Sequence, residues 1–180
     1  MGPLIILLSV TFELQVHVVD GVVDQAWIDK QVAMANTLFA PVDASFEVAG
    51  QVTLDDSAKH VVTRDDRNAL AKLVDDNKIH VFVIDKLENV DENKPVHGVT
   101  WRGGGKKYII IGSDSMERVL AHELGHVFGL PHSKYPISIM NKTKREKPPI
   151  EDRRFSDEEQ AKMKPVIEKL AKQLATKLLH

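Results

Sequence analysis

His122, Glu123, His126 and His132 stand in the spacing H-E-x-x-H-x-x-G-x-x-H without a gap. On a helix His122 and His126 are one turn apart and point the same way, so their imidazoles can share one metal ion. Glu123 is rotated by about 100° from His122, which puts its carboxylate beside the ion rather than on it. A continuing helix would carry His132 away, so the chain must turn. Gly129 supplies the turn, because glycine tolerates positive φ, and His132 returns as the third ligand. Three neutral imidazoles leave a tetrahedral zinc with one open position, and zinc lowers the pKa of a water there to about 7. Glu123 is placed to take that proton as general base and pass it to a leaving amine. The chemistry implied is metal-assisted hydrolysis of a carbonyl, most naturally a peptide bond, with one catalytic Zn²⁺. Accidental occurrence of the string is on the order of one in twenty thousand, which sets aside a surface helix with solvated histidines.

These residues need a helix, and the pattern predicts one from Met116 to Phe128, with Leu120, Leu124, Val127 and Phe128 as its apolar stripe. Gly129 ends it as a C′ residue and Pro131 prevents a restart. Upstream, Glu13–Asp20 and Ser45–Leu54 alternate as strands, and Ile79–Ile84 is a continuous β-branched run that reads as a buried strand. Asp24 caps a helix that keeps Ile28, Val32, Ala35 and Phe39 on one side and ends at Pro41. Asp65–Val74 reads as a short charged helix. Gly98–Arg102 and Lys107–Ile111 flank three glycines, a hairpin signal. Residues 130–155 show no period. A last helix opens at Ser156 with Glu159 completing a capping box. It carries Met163, Val166, Ile167, Leu170, Leu174 and Leu178 on one side, and Pro165 is expected to kink or break it. Leu4–Leu8, extended by Val10, reads as a strand rather than a signal peptide, because no Lys or Arg precedes it and no cleavage pattern follows. Ile6 rules out a myristoylation signal.

Composition bounds the alternatives. The 180 residues include 43% hydrophobic and 28% charged residues, which is globular rather than disordered. With no cysteine, disulfide scaffolds, thiolate zinc sites and cysteine nucleophiles are excluded. A net charge of −2 argues against a dedicated nucleic-acid binder, and no apolar run reaches the ~18 residues of a membrane span.

The string from His122 to His132, followed by Ser138, Ile139, Met140 and Asn141, resembles the metzincin metalloproteases. The resemblance implies that Met140 lies in a tight turn beneath the metal. Ser133 after the third histidine, and the closing helix beginning Phe155–Glu159, are similar to the matrixins, the matrix-metalloproteinase branch. The implied fold is α+β and zincin-like. A twisted mixed β-sheet with two helices (residues 1–129) would sit over a smaller irregular part ending in a helix (residues 130–180), together one catalytic domain, 1–180. The resemblance further implies a peptide or protein substrate, a monomer and an extracellular setting, although no address is evident. The chain departs from vertebrate matrixins in lacking recognisable structural zinc and calcium loops. No tyrosine follows Met140, so steadying the oxyanion falls to zinc and a backbone group.

In such enzymes a strand above the cleft binds substrate by adding the peptide as an extra strand. Gly98, Val99, Thr100 and Trp101 match it, although Trp101, like Trp27, also reads as packing. Tyr135, Ile137 and Ile139 run between the third ligand and Met140. Chain reach keeps them close under the metal, which implies an apolar wall and a medium-sized apolar residue after the scissile bond. His17, His60, His80 and His97 lack metal spacing. Between Asn141 and Phe155 six cationic residues outnumber three acids, which reads as a solvated loop or as a preference for acidic flanks. A zinc endopeptidase leads; an amidase or deacylase, or a zinc-retaining binding module, are the alternatives.

Overall fold

A computed structural model describes residues 9–75, 77–92 and 94–177; the readings of Leu4–Leu8 and Leu178 fall outside them. Strand β1 (Val10–Val19) is followed by helix α1 (Gln25–Phe39) and strand β2 (Ala44–Leu54). Asp24 caps α1 by accepting from the Trp27 N–H at 2.8 Å. After the short strand β3 (His60–Val61) comes α2 (Arg64–Ala69), opened by a capping box between Thr63 and Asp66. The helix expected over 65–74 is therefore α-helical only to Ala69 and tightens to 3₁₀ over Leu70–Leu73. The two forms differ in backbone bonding rather than in residue preference, so the pattern did not separate them.

Strands β4 (Ile79–Ile84), β5 (Lys86–Leu87), β6 (Gly98–Gly103) and β7 (Lys106–Gly112) complete the β structure. The main sheet is mixed, in the order β2-β1-β4-β7-β6. Within it the β6–β7 pair is antiparallel and the others are parallel, and β6 ends the order as an edge strand. Its two-residue hairpin loop, Gly104 and Gly105, has φ of 56° and 76°, which non-glycine residues rarely adopt. The β3–β5 pair forms a separate two-stranded sheet that the sequence did not announce.

Period-two alternation in β4 divides the core. Val81 and Val83 face one cluster with Phe12, Leu14, Ile109 and Ile111 of the sheet. Ile28, Ala35 and Phe39 of α1 and Leu120 and Leu124, from the helix that follows the sheet, cover that face. Phe82 and Ile84 face the other cluster, with Leu70, Leu87, Tyr108 and Ile110. Covered faces explain why β4 is buried at every residue.

The last two helices are α3 (Val119–Val127) and α4 (Asp157–Lys177). Helix α3 begins three residues later than expected. The side chain of Gln31, from α1, donates to the Met116 carbonyl at 3.0 Å and accepts from the Leu120 N–H at 3.1 Å. These bonds satisfy the helix entrance from a distant residue, and Met116 remains exposed. Helix α4 runs unbroken through Pro165. Met163 and Ile167 are buried, while Val166, expected on the same side, is exposed. Among the described residues no helix is long and apolar enough to cross a membrane.

Candidate metal centre and cleft

The site is built on the exit of α3. Gly129 has φ +90° and donates to the His126 carbonyl at 3.1 Å, while Leu130 N–H donates to the Gly125 carbonyl at 2.9 Å. This is a Schellman end, and it reverses the chain as the sequence required. His122, His126 and His132 converge, with one nitrogen of each ring within 4.8 Å of the others. Backbone carbonyls can only accept. His122 Nδ1, 2.8 Å from Ile139 O, and His126 Nδ1, 2.6 Å from Leu130 O, therefore carry the protons. That tautomer leaves each Nε2 lone pair free for a cation, the usual arrangement behind a ligating histidine. Burial pushes the pKa of His122 down to about 4, with the His126 and His132 rings adding to it. Burial also lowers His126 and His132, so all three offer neutral imidazole near pH 7. The donor set fits Zn²⁺, which favours neutral imidazole nitrogen.

Glu123 is 4% exposed, and burial pushes its pKa up to about 7 against the opposing effects of Thr100 and the Arg67 charge. Thr100 Oγ1 lies 2.9 Å from Glu123 Oε2 and 2.8 Å from Glu123 O. Gly98 allows β6 this close: a Cβ there would lie 2.6 Å from Val119 Cγ1 and 3.0 Å from Glu123 Oε1.

Beneath the histidines the chain returns through Ser138–Asn141, a turn closed by Asn141 N–H on Ser138 O at 3.2 Å. Met140 is fully buried, and a Cβ on Gly125 would meet its Sδ at 2.6 Å. Gly125 is thus the contact point between α3 and the methionine, a role the sequence reading did not give it. Glu159 was also read only as a cap. It accepts from Ser156 N–H and from the buried Ser138 Oγ, both at 2.8 Å, and so fastens the turn to α4. Arg145 was read as loop charge. Its guanidinium donates to the carbonyls of Pro136, Ser138, Asn141 and Thr143 at 2.8–3.0 Å.

A cavity of about 830 Å³ covers the three histidines and Glu123. Gly98, Val99 and Thr100 line one wall, and Ile139 with Asn141–Arg145 line another. Trp101, Tyr135 and Ile137 do not line it. Trp101 Nε1 donates to Asn68 Oδ1 at 2.9 Å, with Arg67 stacked over its ring. Tyr135 is exposed, and the Ile137 carbonyl accepts from Arg154 N–H at 2.9 Å. His60 and His97 are exposed, and His17 and His80 pair inside the molecule.

Comparison with solved structures agrees with this architecture. The fold resembles that of metalloproteinase-II from Bacteroides fragilis, with a TM-score of 0.63 and 17% identity over 88% of this chain. The chain spans 53% of that protein's length. It also resembles archaemetzincin from Methanopyrus kandleri, with a TM-score of 0.64 and 13% identity, covering 88% of this chain and 96% of the other. No curated protein matches the chain in sequence. The matrixin family (Peptidase M10) matches residues 9–171, nearly the whole described chain, and with the metzincin-like fold around a three-histidine cluster this places the protein in that family.

Proposed function

We propose that the protein is a zinc-dependent endopeptidase whose metal ligands are His122, His126 and His132 and whose general base is Glu123. One observation carries the reading: two of three converging histidines are fixed by carbonyls in the ligating tautomer beside a buried carboxylate, inside an open cleft. When bound, Zn²⁺ supplies Lewis acidity to the scissile carbonyl and eases ionisation of the attacking water. Glu123 takes the proton of that water and returns it to the leaving nitrogen. A carboxylate whose pKa is raised toward neutrality suits both transfers. Thr100 holds Glu123 in place. The edge of β6 at Gly98–Thr100, unpaired among the described residues, receives an extended peptide as an added strand, which suits cleavage inside a chain. In this reading residues 1–180 are one catalytic domain, with Met140 and Gly129 shaping the floor and the turn between its two parts. The test is zinc analysis together with mass-spectrometric mapping of cuts in an unfolded protein. We expect about one zinc per chain and internal cuts that a chelator abolishes. Zinc with no internal cuts, but release of small acyl groups, would contradict the endopeptidase and support the amidase alternative.

A further inference from the structure

Of the three apolar residues expected to wall the cleft only Ile139 lines it, and the basic loop after Met140, expected to be solvated or to favour acidic flanks, supplies the rest of that wall. Lys142, Lys144, Arg145, Arg118 and Arg153 all line the cavity, and among the described residues Glu123 is the single carboxylate that does. The acids of the same loop, Glu146, Glu151 and Asp152, are not among them.

The three arginines are fixed by main chain. Arg145 holds four carbonyls, Arg118 donates to Arg153 O and Glu151 O, and Arg153 donates to Pro148 O and Arg145 O. Carbonyls satisfy hydrogen bonds without cancelling charge, and none of the three has a carboxylate in salt-bridge range among the described residues, although Glu151, Glu117 and Asp152 partly offset Arg118. Lys142 and Lys144 are exposed and have no such partner either. Lys142 and His132 line the same cavity, so the charge of Lys142 stands in the cleft that holds the three histidines. A cleft lined by charge of one sign concentrates ligands of the other.

We infer that the cleft selects peptides carrying acidic side chains close to the scissile bond, with Lys142 and Lys144 as the residues that meet them. This rests on the endopeptidase reading and adds its substrate class. A peptide, rather than a nucleic acid, is the occupant because the opposite wall offers a polypeptide a strand edge that is unpaired among the described residues. Exposed ion pairs are individually weak, so each acid adds about 2- to 5-fold in kcat/KM rather than an absolute requirement.

The experiment takes a neutral peptide that the enzyme cuts and places Glu or Lys at each of three positions on either side of the cut. Rates are measured at low and high salt for wild type, for the Lys142→Glu/Lys144→Glu double variant, and for Lys30→Glu, a charge reversal on α1 outside the cavity. We expect Glu at one or more positions to be favoured and Lys disfavoured. The preference should shrink in high salt, reverse in the double variant and persist in Lys30→Glu. Equal rates for all charges, or a preference that survives the double variant, would overturn the inference. Cleavage of the neutral parent that resists chelation, or its absence, would instead overturn the endopeptidase reading.

Discussion

One hydroxyl, Thr100 Oγ1 on the edge strand, lies within hydrogen-bond distance of both the side chain and the main-chain carbonyl of Glu123 on α3, at 2.9 and 2.8 Å. A threonine hydroxyl carries a single proton. When Glu123 is ionised that proton serves the carboxylate. When Glu123 is protonated, its own O–H can donate to Oγ1 while Thr100 donates to the carbonyl. Both states of the carboxyl group are therefore met without moving a heavy atom.

Thr100→Val removes the hydroxyl at nearly constant volume. A hydrogen bond to a charged group contributes about 1.5–3 kcal/mol, so kcat should fall roughly 10- to 100-fold with KM changing much less. Thr100→Ser should recover most of the loss. Steady-state kinetics on one peptide decides it, and a Thr100→Val enzyme with wild-type kcat would remove Thr100 from the account.

Gly125→Ala forces a Cβ to within 2.6 Å of Met140 Sδ, closer than real contacts allow. Neither α3 nor the turn can yield freely, since Phe155 also stands 3.2 Å from that position. Overpacking of this kind costs about 1–3 kcal/mol. The urea midpoint and the zinc affinity should fall together, because the same shift moves the floor under His122 and His126. Met140→Leu, a swap that nearly conserves volume, should cost less than about 1.5 kcal/mol.

The buried pair of His17 and His80 predicts a pH dependence of stability. His17 Nε2 is 2.9 Å from His80 Nδ1, and His80 Nε2 is 3.2 Å from both Asp75 N and Asp75 Oδ1. Whichever way the protons run, His17 Nδ1 is buried without a partner. Burial, aided by His80, lowers the pKa of His17 from 6.5 to about 4. The unfolded chain then binds a proton that the folded chain refuses. Stability from this group is intact above about pH 6.5 and is lost progressively as pH falls to 4, by roughly 3 kcal/mol. Urea unfolding of metal-free protein at pH 7.5 and 4.5 should show a shallower loss for His17→Phe than for wild type. Equal slopes would mean that another group carries the acid sensitivity.

The convergence of the three histidines was legible because its requirements are local: one helical turn separates His122 from His126, and a glycine must reverse the chain before His132. Strands β4 and β7 and helix α1 were legible for the same reason, as apolar periodicity with a cap or turn at each end. The start of α3 was not, because Gln31, 89 residues before Leu120, satisfies the helix entrance, and the β3–β5 sheet was not, because each strand has only two residues. Gly125, Glu159 and Arg145 carried local readings that were incomplete. A glycine inside a helix, a capping glutamate and a loop arginine do not reveal partners brought in by tertiary folding. The wall of the cleft was read as apolar from Tyr135, Ile137 and Ile139, but only Ile139 lines it. Chain reach limits how far a segment travels, not which side chains face inward.

The central claim is that Glu123 moves protons and the three histidines hold the metal. Glu123→Gln preserves shape and the contact with Thr100 while removing the base. Loss of a general base costs about 10²- to 10⁴-fold. Zinc content and peptide cleavage measured on the same sample should show about one zinc per chain, as in wild type, with kcat/KM reduced by at least a hundredfold. A variant that lost its zinc, or one that kept both zinc and near wild-type cleavage, would contradict the account.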